Sequence, residues 1–421
     1  MLLIKNLTLA IIFFFIFYKI YKKDYNLYSV AVFSAPLTAY SMSFGVSASL
    51  FQVSTLLILV VNLIKNRLVV SLENKYFLIF VLYVFFITLA STLFHVDNFR
   101  SYGGWFSSDG RTFAQLFSFL LSITFVYSSY IYVTNIEDIK SYLRVLIHSL
   151  VMMVVCGWIQ FVIYKTMGID IYPLGLIDGE AYSGVLKNLE FFRMSSLAHE
   201  PKGFALFLLC GYFILKSYAL NDLVLIRHQK IISFVLLVTS FFTFSTSGIV
   251  VFFALYFVYM LVRVFIFGHI KNRTMSIFGI LFMVALIIII SSGILANYHL
   301  VESIFNSRIA NRDILSEDFD APIQTMLLRE PLFFIFGTGA GLAHNFANQF
   351  IPPEYAHYMN GIIFDAKSGY LKYVSEFGLI GFLFFILANY ITISSIKENI
   401  KNNLIDKQFG YTIILVLMFM L

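Results

Sequence analysis

The chain has 421 residues, of which 60% are hydrophobic and only 12% charged, with 49 Phe and 26 Tyr. Soluble domains run at roughly 45–50% apolar and about 25% charged, so this composition excludes a water-soluble enzyme and makes lipid the solvent for most of the chain. The formal net charge of +6 is carried largely by short loops between apolar runs, where Lys and Arg set orientation; it is not read as nucleic-acid binding.

A bilayer core of about 30 Å needs roughly 20 apolar residues per helical crossing. Runs of that kind predict helices near 7–21, 28–44, 47–64, 76–94, 113–133, 145–164, 203–220, 231–244, 248–267, 275–293, 369–392 and 409–421. The expected fold is therefore an all-α polytopic membrane protein with about 12 transmembrane helices in a single domain over 1–421. The first run, Leu7 to Tyr18, has the length of a signal peptide, but no small-x-small cleavage pattern follows it and Lys19, Lys22 and Lys23 do, so it reads as a retained helix. The second contains Pro36 and several hydroxyl residues, and the last has only 13 residues; these two are the weakest crossings. Cys156 and Cys210 sit in separate apolar runs without the paired spacing of a metal or redox site.

Cytoplasmic loops keep an excess of Lys and Arg. One alternate set of short loops holds Lys19/Lys22/Lys23, Lys65/Arg67/Lys75, Lys140/Arg144, Arg227/Lys230, Arg263/Lys271/Arg273 and Lys397/Lys401/Lys407. That side is assigned to the cytoplasm. The outer face then carries the N-terminus and the long connections 95–112, 165–202 and 294–368. Loops beyond about 12–15 residues tend to be functional, which singles out the large outer loop 294–368. Its start, Val301 to Leu328, has helical spacing of apolar residues with interspersed charge, as in a helix lying on a membrane surface. No internal repeat is visible, which weighs against an inverted-repeat transporter.

Outer loops are poor in basic residues by the same rule, so Arg100, Arg111, Lys187, Arg193, Lys202, Arg308, Arg312, Arg329 and Lys367 together point to an anionic ligand on that face. Arg forks pair bidentately with phosphate oxygens and stabilise a diphosphate as negative charge develops on it. The densest local cluster is Arg193-Met-Ser-Ser-Leu-Ala-His199-Glu200-Pro201-Lys202-Gly203. Pro201 suits the first position of the next helix, whose free N–H groups, beside Lys202, form an anion site; Glu200 is either a partner for Arg193 or a base. A second cluster is Phe336-Gly-Thr-Gly-Ala-Gly-Leu-Ala-His344-Asn345. Without a following Lys-Ser/Thr it is not a nucleotide P-loop. It reads as a tight glycine turn presenting His344, an imidazole suited to taking a proton from a sugar hydroxyl. Lys372 and Glu376, four residues apart on one helix face, are read as a structural pair. Ser245-Thr-Ser-Gly248 is read as hydroxyls capping a tight hairpin.

In their order along the chain, these segments resemble the O-antigen polymerase and O-antigen ligase superfamily, membrane proteins of the Wzy type. The matches are Arg193 and Glu200-Pro201 before a mid-chain helix, the Ser-rich break Ser245–Gly248, Gly337–Gly341 with His344-Asn345 at the close of the large outer loop, and Glu376-Phe-Gly378-Leu-Ile-Gly381 on the helix after it. Many members carry an Arg in the Ser-rich break where this chain has Ser-Thr-Ser-Gly; Arg111 or an Arg from the 308–329 stretch would take that place. The resemblance implies metal-independent, cofactor-free inverting glycosyl transfer between undecaprenyl-diphosphate-linked oligosaccharides at the outer face of the bacterial inner membrane. It further implies His344, or else Glu200, as base, and Arg193, Lys202 and one or more of Arg308, Arg312 and Arg329 on the diphosphate, with His199, Arg111 and Asn345 as further substrate contacts. The expected surroundings are the lipid bilayer, a chain-length regulator and a flippase. An O-antigen ligase fits the same motifs. A transporter or flippase for lipid-linked sugars would also use outer arginines, but it needs ionisable groups near the bilayer midplane, and few are found there. A non-catalytic membrane partner of a synthase complex would tolerate loss of His344 and Arg193.

Overall fold

In the computed structural model the described residues are 2–22, 26–38, 41–43, 47–67, 75–94, 108–168, 185–186, 191–198, 201–220, 224–245, 248–249, 251–253, 256, 320–347, 350 and 369–402. They are overwhelmingly helical. The chain clusters into two compact units: 1–71 with 121–259 and 393–421, and 72–120 with 260–392.

The first unit begins with α1 (Leu2–Tyr21), α2 (Leu27–Ser34) and α3 (Leu50–Ile64). The helix expected over 28–44 is not continuous. It stops at Ser34, two residues before Pro36, whose ring cannot follow a helical carbonyl or supply an N–H. Residues 41–43 (β1) then pair antiparallel with 47–49 (β2), and Ser49 starts α3 through a capping box with Gln52. That reciprocal pairing satisfies orphan N–H groups at the helix start. The long α6 (Ile136–Met167) opens on a second capping box, Asn135 with Asp138, and closes on Gly168 in the left-handed conformation. It packs with α7 (Pro201–Leu220) and α8 (Gln229–Phe242). The approach of these helices is set by glycine: a Cβ on Gly211 would lie 2.4 Å from Leu150 Cδ1 and 3.2 Å from Leu236 Cδ1. Small residues at such crossings are the usual device of helix packing in lipid. The two-residue strands β3 (Val185–Leu186) and β4 (Phe191–Phe192) pair antiparallel just ahead of α7.

The second unit contains α4 (Lys75–Phe94) and the first half of α5, which as a whole runs Ser108–Tyr132. It continues with α9 (Asp320–Arg329), α10 (Pro331–Phe336), α11 (Ala343–Ala347) and most of α12 (Gly369–Lys401). Of the helix expected over Val301 to Leu328, α9 is the described part. Ile323, Met326, Leu342, Phe346 and Ala347 form one small core here, and Phe80, Val84, Ala340 and Phe377 form another. The predicted crossings at 275–293 and 409–421, and most of 248–267, lie outside the described residues.

Three stretches of the described residues are long and apolar enough to cross a bilayer, Lys75–Leu93, Ile136–Met167 and Leu371–Asn399, and α3, Leu116–Tyr132 and α8 are shorter apolar helices. The distribution of polarity identifies the solvent. On α4 the exposed positions Ile79, Leu82, Phe86, Leu89 and Leu93 recur at helical spacing, whereas Thr88 and Ser91 are buried. On α3 and α8 the same inversion holds: Leu56, Leu57, Val60, Ile231 and Phe234 face outward, while Ser54, Thr55, Asn62, Ser233, Thr239 and Ser240 are inside. Helices that expose their large apolar side chains and bury their hydroxyls are built for lipid. The chain is a helical membrane protein.

Candidate functional sites in the two units

In the first unit the segment 192–198 leads from β4 into α7 and is held by buried polar bonds. Met194 to Ala198 are all fully buried, so their backbone groups need partners inside the protein. Gln160, fully buried on α6, supplies one of them and binds a neighbouring hydroxyl. Its carboxamide oxygen accepts from Ser196 N (3.0 Å) and its NH2 donates to Ser195 Oγ (3.4 Å). Ser196, at φ 55°, also donates its hydroxyl to the Met153 carbonyl. Gly157, one turn before Gln160 on α6, makes room for Met194, since a Cβ there would lie 2.7 Å from its Sδ. Phe192 stacks on Tyr164 at 4.6 Å, and Met194 N donates to Phe242 O (3.4 Å). Arg193 is therefore carried, half-buried, on a fixed segment between two buried anchors. Lys202 is exposed on the first turn of α7, which begins at Pro201 as its chemistry requires. His199 and Glu200 lie outside the described residues.

The Ser-rich break behaves as a cap. Ser245 is buried, its N–H donates to Thr243 Oγ1 (3.2 Å), and its hydroxyl accepts from Gly248 N (3.2 Å). A Cβ on Gly248 would meet Ala205 Cβ at 2.7 Å, so the glycine is fixed by the closeness of α7.

In the second unit the two glycine motifs meet. α12 is broken at Gly378 (φ 66°, ψ 179°), a combination open essentially to glycine alone. The break stops Ser375 and Glu376 from continuing the helical ladder, and their carbonyls accept instead from Thr338 N (2.9 Å) and Gly339 N (2.8 Å). Thr338 Oγ1 donates to Ser375 O as well (2.9 Å). Gly337 and Gly378 pass backbone to backbone: a Cβ on Gly337 would lie 2.4 Å from Glu376 O, and one on Gly378 2.4 Å from Ile335 O. From α4, Tyr83 OH donates to Phe336 O (2.6 Å) and Thr88 Oγ1 accepts from Ala340 N (2.9 Å). Gly339 is pressed against Thr88, whose Cα would be 2.7 Å from a Cβ there. The turn ends at Leu342, and α11 starts at once, carrying His344 and Asn345 in its backbone.

Glu376 is buried and Lys372 half-buried on the segment of α12 before the break. Arg111 lies in the first turn of α5, and Arg329 is the exposed last residue of α9. Arg308 and Arg312 lie outside the described residues. Arg193 and Lys202 thus belong to the first unit, and Arg111, Arg329, His344 and Asn345 to the second. Among the described residues no three His, Cys, Asp or Glu side chains come together as a metal cluster would. Gln160, Tyr83 and Thr88 were not anticipated from the sequence. The available signal was a polar residue inside an apolar run, which in lipid faces protein.

A comparison with protein-family models finds no match to the chain, and a comparison with curated proteins finds none either.

Proposed function

We propose that this protein is an oligosaccharide repeat-unit polymerase of the Wzy type, with about 12 crossings and its active side on the outer face of the bacterial cytoplasmic membrane. The observation that supports the reading best is the docking of the Gly337–Gly341 turn into the break at Gly378. Two short motifs singled out separately, with 36 residues between Gly341 and Gly378, belong to one tightly bonded structure, and the His344-Asn345 pair begins directly after it. A catalytic side chain needs such a fixed base.

The reaction is an inverting substitution. An acceptor sugar hydroxyl gives its proton to His344, or to Glu200, and its oxygen attacks the anomeric carbon of the donor chain. The anomeric C–O bond to phosphate breaks, and the lipid diphosphate leaves with the electron pair. In this reading Arg193, with Lys202 and one or more of Arg308, Arg312 and Arg329, is assigned to that diphosphate, and Arg111, His199 and Asn345 to further substrate contacts. Pre-aimed cations lower the barrier because negative charge grows on the leaving group as the bond lengthens.

The test is the surface-polysaccharide ladder from cells lacking the native gene and supplied with wild type, His344→Ala, Arg193→Ala or Glu200→Ala, each quantified in the membrane. Collapse of the ladder to a single added repeat establishes polymerisation and these residues. Accumulation of lipid-linked polymer with loss of capped product makes the protein a ligase instead. A normal ladder from every variant refutes the site.

A further inference from the structure

Thr88 lies in the second half of α4, outside every segment that carries the proposed chemistry. Its hydroxyl is nevertheless used twice. It donates to Val84 O, one turn back on its own helix (2.6 Å), and it accepts from Ala340 N, in the centre of the glycine turn (2.9 Å). Back-bonding alone is common for Thr in helices; the second bond is what reaches across to another element. Thr88 and Ala340 are both buried, so the Ala340 N–H has no water to turn to. Gly339 has no Cβ, which lets the turn come within contact of the Thr88 backbone and makes the bond possible. Tyr83, five residues earlier, binds the other end of the same turn at Phe336 O.

We propose that Thr88 is a positioning residue. Its hydroxyl fixes the glycine turn against α4, and through Gly341 and Leu342, the two residues between Ala340 and Ala343, it fixes where α11, and hence His344, begins. The carbonyls of Ser375 and Glu376 hold the turn's first half, at Thr338 and Gly339, whereas Thr88 holds Ala340, three positions before the first residue of α11. Thr88 touches no substrate in this scheme. The inference rests on the functional reading above for the role of His344, but the docking itself does not.

The experiment therefore reads docking and activity separately. Docking is measured in cells by the rate at which a membrane-impermeant maleimide labels Ala340→Cys, counted above the labelling of the same chain without that substitution, so that Cys156 and Cys210 cancel. Activity is measured by the polysaccharide ladder. Thr88→Val keeps the shape of the side chain and removes the acceptor; Thr88→Ser restores it; Tyr83→Phe loosens the other end of the turn without touching Thr88. Thr88→Val is expected to raise labelling by up to about tenfold, the shift that loss of one hydrogen bond makes in a local opening equilibrium. It is expected to cut polymer by about a hundredfold, as a displacement of order 1 Å does to a reacting group. Thr88→Ser restores both, and Tyr83→Phe moves both in the direction of Thr88→Val by less.

A purely structural role would lower the amount of protein in the membrane without the separate rescue by Ser at equal abundance. Unchanged labelling in Thr88→Val overturns the inference. So does raised labelling with a normal ladder, while His344→Ala still abolishes the ladder; in that case the functional reading stands. A normal ladder from His344→Ala removes the functional reading and the positioning role together, and the labelling arm then reports only how the turn is held.

Discussion

Replacing Gly378 by Ala should be among the most damaging single-methyl changes at the described residues of the second unit. The new Cβ would sit 2.4 Å from Gly337 N, Ile335 O and Phe336 C. All three are backbone atoms that cannot swing aside as a side chain can, so the turn must back away. Thr338 N and Gly339 N then lose Ser375 O and Glu376 O, and each buried N–H left without its partner costs about 1–3 kcal/mol. Holding Ala at φ 66°, ψ 179° adds a further cost on the order of 1–3 kcal/mol. The sum, about 3–9 kcal/mol, reaches the range that is exceptional for a point mutation. The control is Gly168→Ala. Gly168 also has positive φ, at 67°, but a Cβ there would have nothing within 4 Å, so only the conformational cost of about 1–2 kcal/mol remains. The assay is thermal unfolding of the detergent-solubilised protein followed by intrinsic fluorescence and by size-exclusion of the heated sample. Gly378→Ala should melt well below Gly168→Ala, which in turn falls slightly below wild type. If Gly378→Ala melts at or above Gly168→Ala, the backbone contact between the turn and the break is wrong.

Gln160→Leu leaves Ser196 N without its acceptor and should cost about 1–3 kcal/mol; a fall in thermal stability checks it, and faster proteolysis at 194–198 would locate the change. Gly211→Ala overfills the crossing of α6 with α7, at about 1–3 kcal/mol. Combining it with Leu150→Ala should give less than the summed loss, because the clash is with Leu150 Cδ1; strict additivity in thermal melts would refute that contact. Phe86→Asp places a charge at a lipid-facing position of α4 and should lower the inserted fraction by about 2.5–3.5 kcal/mol, measured by carbonate extraction, whereas Phe86→Leu should be neutral.

The helices were legible where length alone decides them. The apolar runs gave α4, α7 and the first part of α12 to within a few residues, because in lipid a crossing is defined by its apolar length. α2 was not legible. Pro36 and the hydroxyls after it marked the 28–44 run as weak, but neither the stop at Ser34 nor the local pairing of 41–43 with 47–49 could be read from hydropathy. The glycine turn before His344 was visible from its spacing, yet its partner at Gly378 was not connected to it, since a break inside an apolar helix leaves hydropathy unchanged. Arg193 was found as an outlier of charge. Gln160, which supports the segment behind it, passed as part of an apolar stretch. A sequence displays the charges a site exposes more readily than the neutral bonds that hold the site still.

The inward hydroxyls and amides of α3, α4 and α8 have a practical consequence. In lipid, apolar surface does not drive helices together, so the pairing information of the described residues resides in polar groups that bond across elements, Asn62 with Ser128, Thr239 with Trp158 and Thr88 with Ala340, and in glycines such as Gly211, rather than in the abundant Phe and Leu. The outward side chains Leu57, Val60, Leu82, Phe86, Leu89 and Phe234 act as an interchangeable coat matched to the solvent. Recoating those positions with Glu, Lys and Gln would keep the helix contacts while changing the medium, which offers a route to a water-soluble version of either unit for study without detergent.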